Sequence, residues 1–310
     1  MNKYFIITVD TEGDNLWNWH LGDDITTYNA KYILRFQNLC EKYNFIPVYL
    51  TNYEMASCKE FFSIFKEKAK NGKCEIGMHV HAWNSPPKFD LSNEKNFGGQ
   101  PFITEYPNNI IYEKHLFLKK LIEKNFEIKP VSYRSGRWAT NSYLFDVLDK
   151  LGFLVDCSIT PGISHKKNNG MTVKGANNYR NYKRNVFRLK NNLIEIPMTT
   201  AKIHCFHGKS LKAKLRNLIK GKEYWLRTAN SSYEEMLEII RLVEKENSNN
   251  NYLEFMLHSS ELMPNGSPYF PNEESIEIHY EILEKLFKYI SKSYIGISLK
   301  DYYKIIINKI

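Results

Sequence analysis

Short runs rich in apolar and β-branched residues alternate with longer runs of helical periodicity almost from end to end of the 310-residue chain. The strand-like runs are 3–9 (KYFIITV), 45–50 (FIPVYL), 74–80 (CEIGMHV), 129–134 (KPVSYR), 153–158 (FLVDCS), 192–198 (NLIEIPM), 252–258 (YLEFMLH) and 293–298 (SYIGIS). Several are nearly continuous in apolar residues, as strands covered on both faces are. Between them, 28–43, 109–125, 232–246 and 274–290 carry apolar residues at helical spacing, and Ser231 or Ser232 offers the third of these an N-cap. Alternation of this kind points to parallel strands joined by outer helices. The expectation is an α/β fold, a distorted (β/α) barrel of about seven parallel strands with outer helices, formed by residues 1–310 as one domain. The irregular stretches 84–107 and 160–190 are long for such a fold, and loops of that length tend to be functional.

In such a barrel the chemistry belongs at the carboxyl ends of the strands. The first strand runs into TVDTEGD, bringing Asp10, Glu12 and Asp14 to that rim. The third ends in His79 and His81, which share one face because side chains at i and i+2 of a strand point the same way. Arg134, Arg137 and Trp138 end the fourth, Asp156 and Ser158 lie on the fifth, and His258 and Glu261 close the run at 252–258. A carboxylate and two imidazoles make a three-ligand metal site with a position left for water. A second carboxylate would take the water's proton, and a histidine opposite would protonate a leaving nitrogen. Asp10 and Glu12 divide the two carboxylate roles, and Arg134 holds the base ionised.

Charge and cysteine usage limit the setting. The net charge of +9 suggests an anionic partner, and eight Lys/Arg against one Glu concentrate in 202–227. With Leu211, Leu215, Ile219 and Trp225 interleaved, that stretch reads as basic and amphipathic, suited to phosphate groups or an anionic lipid surface. No nucleic-acid motif accompanies it, so no nucleic-acid partner is expected. Cys40, Cys58, Cys74, Cys157 and Cys205 show no CxxC spacing and read as reduced thiols. The first residues lack a cleavage-site pattern and no stretch reaches about 18 apolar residues, so the expected location is the cytoplasm or the inner face of the membrane. His204 and His207 have ligand spacing, but their basic surroundings disfavour a dication. His20, His115, His165 and His279 read as surface or packing residues.

Taken in order, TVDTEGD, EIGMHVHAW, YRSGRW, VDCS and LHSSE resemble the five motifs of the polysaccharide deacetylase (NodB-homology, carbohydrate esterase family 4) superfamily. The resemblance is closest to uncharacterised members encoded in surface-polysaccharide gene clusters, and it runs from residue 8 to residue 261. It implies a divalent metal, usually zinc, and hydrolysis of an N-acyl group on an amino sugar. It matches Asp10 to the catalytic base, His79 to the first metal histidine, Arg134 to the arginine supporting the base and His258 to the general acid. Asp156 falls where the fourth motif carries an acid. Two positions depart from the pattern. Thr11 stands where a second aspartate is usual, which passes the metal carboxylate to Glu12 or Asp14, and Trp83 stands where the second histidine is usual, which passes that role to His81. Trp83, Arg137, Trp138 and Asp156 are the expected substrate contacts, with Trp17 and Trp19 also beside the motifs. The reading is a metal-dependent amidohydrolase acting on a nucleotide- or lipid-linked amino sugar during surface-glycan synthesis. A metal-free ring amidohydrolase of the allantoinase-like type and an inactive glycan-binding domain are the alternatives.

Overall fold

The computed structural model describes residues 2–20, 22–91, 96–204, 210–229, 231–246 and 251–310. The strand-like runs form β1 (Tyr4–Thr11), β2 (Pro47–Thr51), β3 (Glu75–Val80), β4 (Ser132–Ser135), β5 (Val155–Asp156) and β7 (Ile194–Glu195), and β6 (Phe187–Arg188) arises within the stretch 160–190. They are followed by β8 (Thr200–Ile203), β9 (Lys222–Trp225), β10 (Tyr252–His258) and β11 (Ile295–Gly296). The helices are α1 (Ala30–Lys42), α2 (Tyr53–Ser57), α3 (Lys59–Lys70), α4 (Asn108–Phe126), α5 (Ser142–Lys150), α6 (Leu211–Lys220), α7 (Tyr233–Glu246), α8 (Glu273–Ile290) and α9 (Leu299–Ile306). Ser232 caps α7 as a reciprocal pair: its hydroxyl accepts from Glu235 N–H (3.2 Å), and the Glu235 carboxylate accepts from Ser232 N–H (2.9 Å).

One sheet has the order β10-β1-β2-β3-β4-β5-β7-β6, with β11 also on β1. Its pairings are parallel except that of β6, which runs antiparallel to β7. The sheet curls into a half-barrel rather than a closed ring. Across the gap between β7 and β10, Tyr252 Oη donates to Pro197 O (2.7 Å), Glu254 N–H to Thr199 Oγ1 (2.8 Å) and Met256 N–H to Leu226 O (3.2 Å). An irregular segment thus satisfies the edge that another strand would otherwise pair.

Alternation along the strands separates two cores. Phe5, Ile7 and Val9 of β1, Ile76, Met78 and Val80 of β3, and Leu253, Phe255 and Leu257 of β10 face the outer helices. Ile6, Val48, Leu50, Val155 and Ile194 line the inner face, where Leu299 and Tyr302 of α9 pack against them. Above this inner apolar layer the same faces turn polar: Thr8 and Asp10 follow Ile6, and Arg134 and His79 lie beside each other.

The segment 202–227 is not one continuous amphipathic stretch. β8 and β9 pair antiparallel as a small separate sheet with α6 inserted between them, and Trp225 turns into a cavity instead of lying on a basic outer surface. Cys40, Cys58, Cys74 and Cys157 are free thiols, as expected, while Cys205 and His207 lie outside the described residues. His204 is exposed and its Nδ1 donates to Leu218 O (3.1 Å). Among the described residues, no helix is long and apolar enough to cross a membrane.

Candidate active site

Strand register assembles the site. Asp10 of β1 is the Cα partner of His258 of β10, and His79 of β3 is the partner of Arg134 of β4. All four therefore reach the same rim on the inner face, and Glu12 follows Asp10 at the next inward position. Glu12 Oε2 lies 3.4 Å from His79 Nε2 and 3.1 Å from His81 Nε2, and the two Nε2 atoms are 3.0 Å apart. His79 Nδ1 donates to the Arg134 backbone carbonyl (2.9 Å), which leaves its Nε2 as a lone pair. Three buried acceptor-type atoms within 4.8 Å of one another then converge on one point. Two imidazole nitrogens and one carboxylate oxygen so placed fit a divalent cation. Asp14 does not join them: its carboxylate accepts from Thr26 Oγ1 and from Asn29 N–H (3.1 Å), closing the loop after β1.

His81 is held differently from His79. Its Nδ1 is buried without a hydrogen-bond partner, and Trp83 stacks on its ring at 4.5 Å between centroids. Gly136 packs so closely behind it that a Cβ there would stand 2.4 Å from His81 Cδ2 and 2.5 Å from Val80 O. Shape fixes the His81 ring, whereas a hydrogen bond fixes that of His79.

Beside this triad lie two charge pairs. Arg134 is fully buried; its Nη1 donates to Asp10 Oδ1 (2.6 Å), and its Nη2 to Glu254 Oε1 (2.5 Å) and Thr8 Oγ1 (2.9 Å). Burial works against an ionised Asp10, but Arg134, His79 and His258 together outweigh it and hold the carboxyl below its usual value. Burial also opposes the charge on Glu12, and His81 and His79 overcome it by a wide margin. His258 Nδ1 lies 3.0 Å from Glu261 Oε1, and its Nε2 lies 3.9 Å from Asp10 Oδ2. Burial would depress the His258 pKa, yet the Glu261 hydrogen bond and Glu12 raise it above the ordinary histidine value. Arg227 in turn pairs with Glu261, whose carboxyl drops to about 2 once Arg227 and His258 overcome its burial.

These groups open into a cavity of about 660 Å³ whose lining includes all five of the chain's tryptophans. Trp19 stacks on Trp83 at 6.0 Å, Trp17 stands edge-on to His258 at 5.3 Å, and Trp138 meets Trp225 edge-to-face at 4.9 Å. Trp83, Arg137 and Trp138 all line the cavity. The Arg137 guanidinium, however, is engaged by the protein itself, donating to Gln100 O and Asn169 O (2.9 Å). Asp156 does not reach the cavity. Val155 and Cys157 take the inner face, so Asp156 turns the other way, fully buried beside Glu195 and accepting from Ser158 Oγ (2.5 Å). Its assignment as a substrate contact is therefore corrected by strand parity.

Sequence reasoning missed Glu254, Trp225, Arg227 and His165. A glutamate inside the apolar run YLEFMLH was a usable signal, because a lone acid on a buried strand needs a cation. Trp225 and Arg227 fall within 202–227, which reads from the sequence as a basic amphipathic stretch. His165, read as a surface or packing residue, lines the cavity with its Nε2 on Thr160 Oγ1 (2.9 Å), and burial lowers its pKa to about 4.

No protein-family model matches the sequence, and no curated protein is similar enough to match. Solved structures do match. A putative polysaccharide deacetylase from Mycobacterium smegmatis superposes on 100% of this chain and 92% of its own, with a TM-score of 0.59 and 11% identity. A 4-alpha-glucanotransferase from Thermococcus litoralis gives a TM-score of 0.53 at 12% identity, over 100% of this chain and 41% of its own. The Xyl-CE4 domain of a xylanase from the hindgut metagenome of Trinervitermes trinervoides gives 0.47 at 10% identity, over 98% of this chain and 91% of its own. Two neighbours named for different reactions share this scaffold, so the site, not the fold, must carry any argument about chemistry. At these identities the likeness is one of architecture: this chain has the curled, mostly parallel half-barrel fold of the polysaccharide deacetylases.

Proposed function

We propose that the chain is a metal-dependent amidohydrolase that removes an acetyl or formyl group from the nitrogen of an amino sugar during surface-glycan synthesis. One observation carries the reading. Glu12, His79 and His81, Asp10 backed by Arg134, and His258 backed by Glu261 line one tryptophan-walled cavity. The convergence of Glu12 with His81 supports the metal-dependent reading over a metal-free ring amidohydrolase, and the intact acid–base set supports an enzyme over an inactive binding domain.

Glu12, His79 and His81 would hold the cation, and two imidazoles with one carboxylate suit zinc. When bound, the cation supplies Lewis-acid polarisation of the acyl carbonyl and a lowered pKa for water. Asp10 accepts the proton of the attacking water and is kept ionised by Arg134. His258 stands across from Asp10 with Glu261 on its Nδ1, which leaves Nε2 facing the cavity to protonate the departing amine. The tryptophan rings offer flat apolar surfaces to the C–H faces of a sugar.

The test combines metal analysis with product release. Purified protein should carry about one divalent ion per chain, and His79→Ala or His81→Ala should lose it. Acetate or formate release from N-acylated amino sugars should disappear in the same variants. Full metal occupancy in both would reject the ligand set. Metal-loaded wild type that releases neither acid from any such sugar would reject the substrate class.

A further inference from the structure

α6 turns its aliphatic side chains away from the protein. Leu211, Leu215, Leu218 and Ile219 are 66%, 46%, 46% and 74% exposed, whereas Asn217 is only 3% exposed. At about 100° per residue the four aliphatics fall on one arc of the helix, opposite Asn217 and Ala213. Lys212 and Arg216 flank the arc on one side and Lys214 on the other, Lys220 lies beside Ala213, and 211–220 holds no acid. An ordinary surface helix buries the apolar stripe and shows the polar one. Here the polar Asn217 is buried, and His204 fastens the helix through the Leu218 carbonyl. An outward apolar arc bordered by cations is the pattern of a helix lying in a lipid interface.

We propose that α6 docks the protein on an anionic lipid bilayer. Leu211, Leu215, Leu218 and Ile219 enter the boundary between headgroups and acyl chains, with Lys212 and Arg216 at the phosphates. Charge selects this occupant. Pairing with a second copy would set two acid-free basic stripes against each other on chains that each carry +9. Nucleic acid would satisfy the cations and leave the four aliphatics in water. α6 joins β8 to β9, and β9 delivers Trp225 to the cavity wall, so docking brings that wall to the membrane surface. The amino sugar is accordingly one carried on a membrane lipid. Docking stands on α6 alone; the nature of the substrate rests on the amidohydrolase reading.

The experiment is flotation of the whole protein with vesicles of phosphatidylcholine alone or of equimolar phosphatidylcholine and phosphatidylglycerol, at low and high salt. Wild type should float with the anionic vesicles at low salt and be released at high salt, as the Debye length falls from about 8 Å to about 3 Å. Each basic side chain near an anionic surface multiplies affinity about fivefold, so Lys212→Glu/Arg216→Glu should weaken binding at least about 25-fold. Leu215→Ser/Ile219→Ser should also release the protein. Wild type left unfloated at low salt overturns the proposal and hands the helix to an acidic protein groove; flotation of both variants like wild type overturns it too. A second arm compares N-acetylglucosamine linked to a lipid in those vesicles with the free sugar. The charge variant should lose at least about tenfold on the lipid-linked form and nothing on the free form. Flotation with hydrolysis of neither form rejects the amidohydrolase reading while docking stands, and equal rates for wild type and variant on the lipid-linked form reject the lipid carrier.

Discussion

Asp10 and Glu12 lie two residues apart on the same side of one strand end, yet their neighbours give them different work. Arg134 donates to Asp10, whereas both imidazole Nε2 atoms approach Glu12. Asp10→Asn should therefore keep the metal and lose about 10²–10⁴-fold in rate, the usual cost of removing a general base. Glu12→Gln should weaken metal binding itself. Metal titration beside single-turnover rates checks the pair, and metal lost from Asp10→Asn but retained in Glu12→Gln would reverse the two roles. The sequence left Glu12 and Asp14 open as ligands, because spacing does not say which carboxylate a loop needs for its own closure; the Asn29 amide and Thr26 hydroxyl claim Asp14. The support of His81 was likewise illegible, since it depends on a glycine's missing Cβ. Gly136→Ala should displace the ring and weaken metal affinity at least tenfold, in the range typical of lost outer-shell support. An affinity equal to wild type would show that the ring tolerates the contact.

At the scale of elements, the period-two pattern carried most of the information. Continuous apolar runs located the long strands, and their parity placed Asp10, His79, His81, Arg134 and His258 on one face. The same parity, applied to Val155 and Cys157, would have turned Asp156 away from the cavity; motif position led to the opposite assignment. β6 and the β8–β9 pair were not legible, because so short a run has no pattern to read. Nor was the way the two long loops lock together. Arg137 and Trp138 both sit at positive φ, 57° and 62°, a costly conformation for side chains of that size. It is retained where the Arg137 guanidinium ties the loop at Gln100 to the loop at Asn169, lying 4.2 Å over the Phe102 ring. Arg137→Ala should release both loops. Limited proteolysis should then cut within 96–107 or 160–190 at least several-fold faster, with a raised KM and an unchanged metal content. Wild-type cleavage with a raised KM would instead mean that the guanidinium meets substrate directly.

Across the whole molecule, burial sets two groups of ionisable side chains against each other. His115, His165 and His279 are pushed down to about 4 chiefly by burial. A buried neutral histidine stabilises the fold above its unfolded pKa of about 6.5, and that stability is lost as pH falls towards 4. Burial also pushes Glu54 and Glu254 up to about 7. For such an acid the sign reverses: its stability is present below an unfolded pKa of about 4.5 and is lost as pH rises through 7. The sequence could not reveal this opposition, because His115 in a helical run and Glu54 just after a strand look like ordinary polar residues until burial is known. The two sets can be separated with one variant from each, both outside the cavity. His115 Nδ1 donates to Ile111 O (2.6 Å) and its Nε2 accepts from Tyr133 Oη (3.0 Å), so His115→Gln removes the titration while keeping an amide in its place. Relative to wild type, this variant should gain about 1.4 kcal/mol of stability for each pH unit between 6.5 and 4 as pH falls. Glu54→Gln should gain by a similar amount per unit in the other direction, as pH rises from 4.5 to 7. Urea unfolding of the three proteins across that range reads both slopes, and differences that stay constant with pH would mean that neither group titrates with the fold.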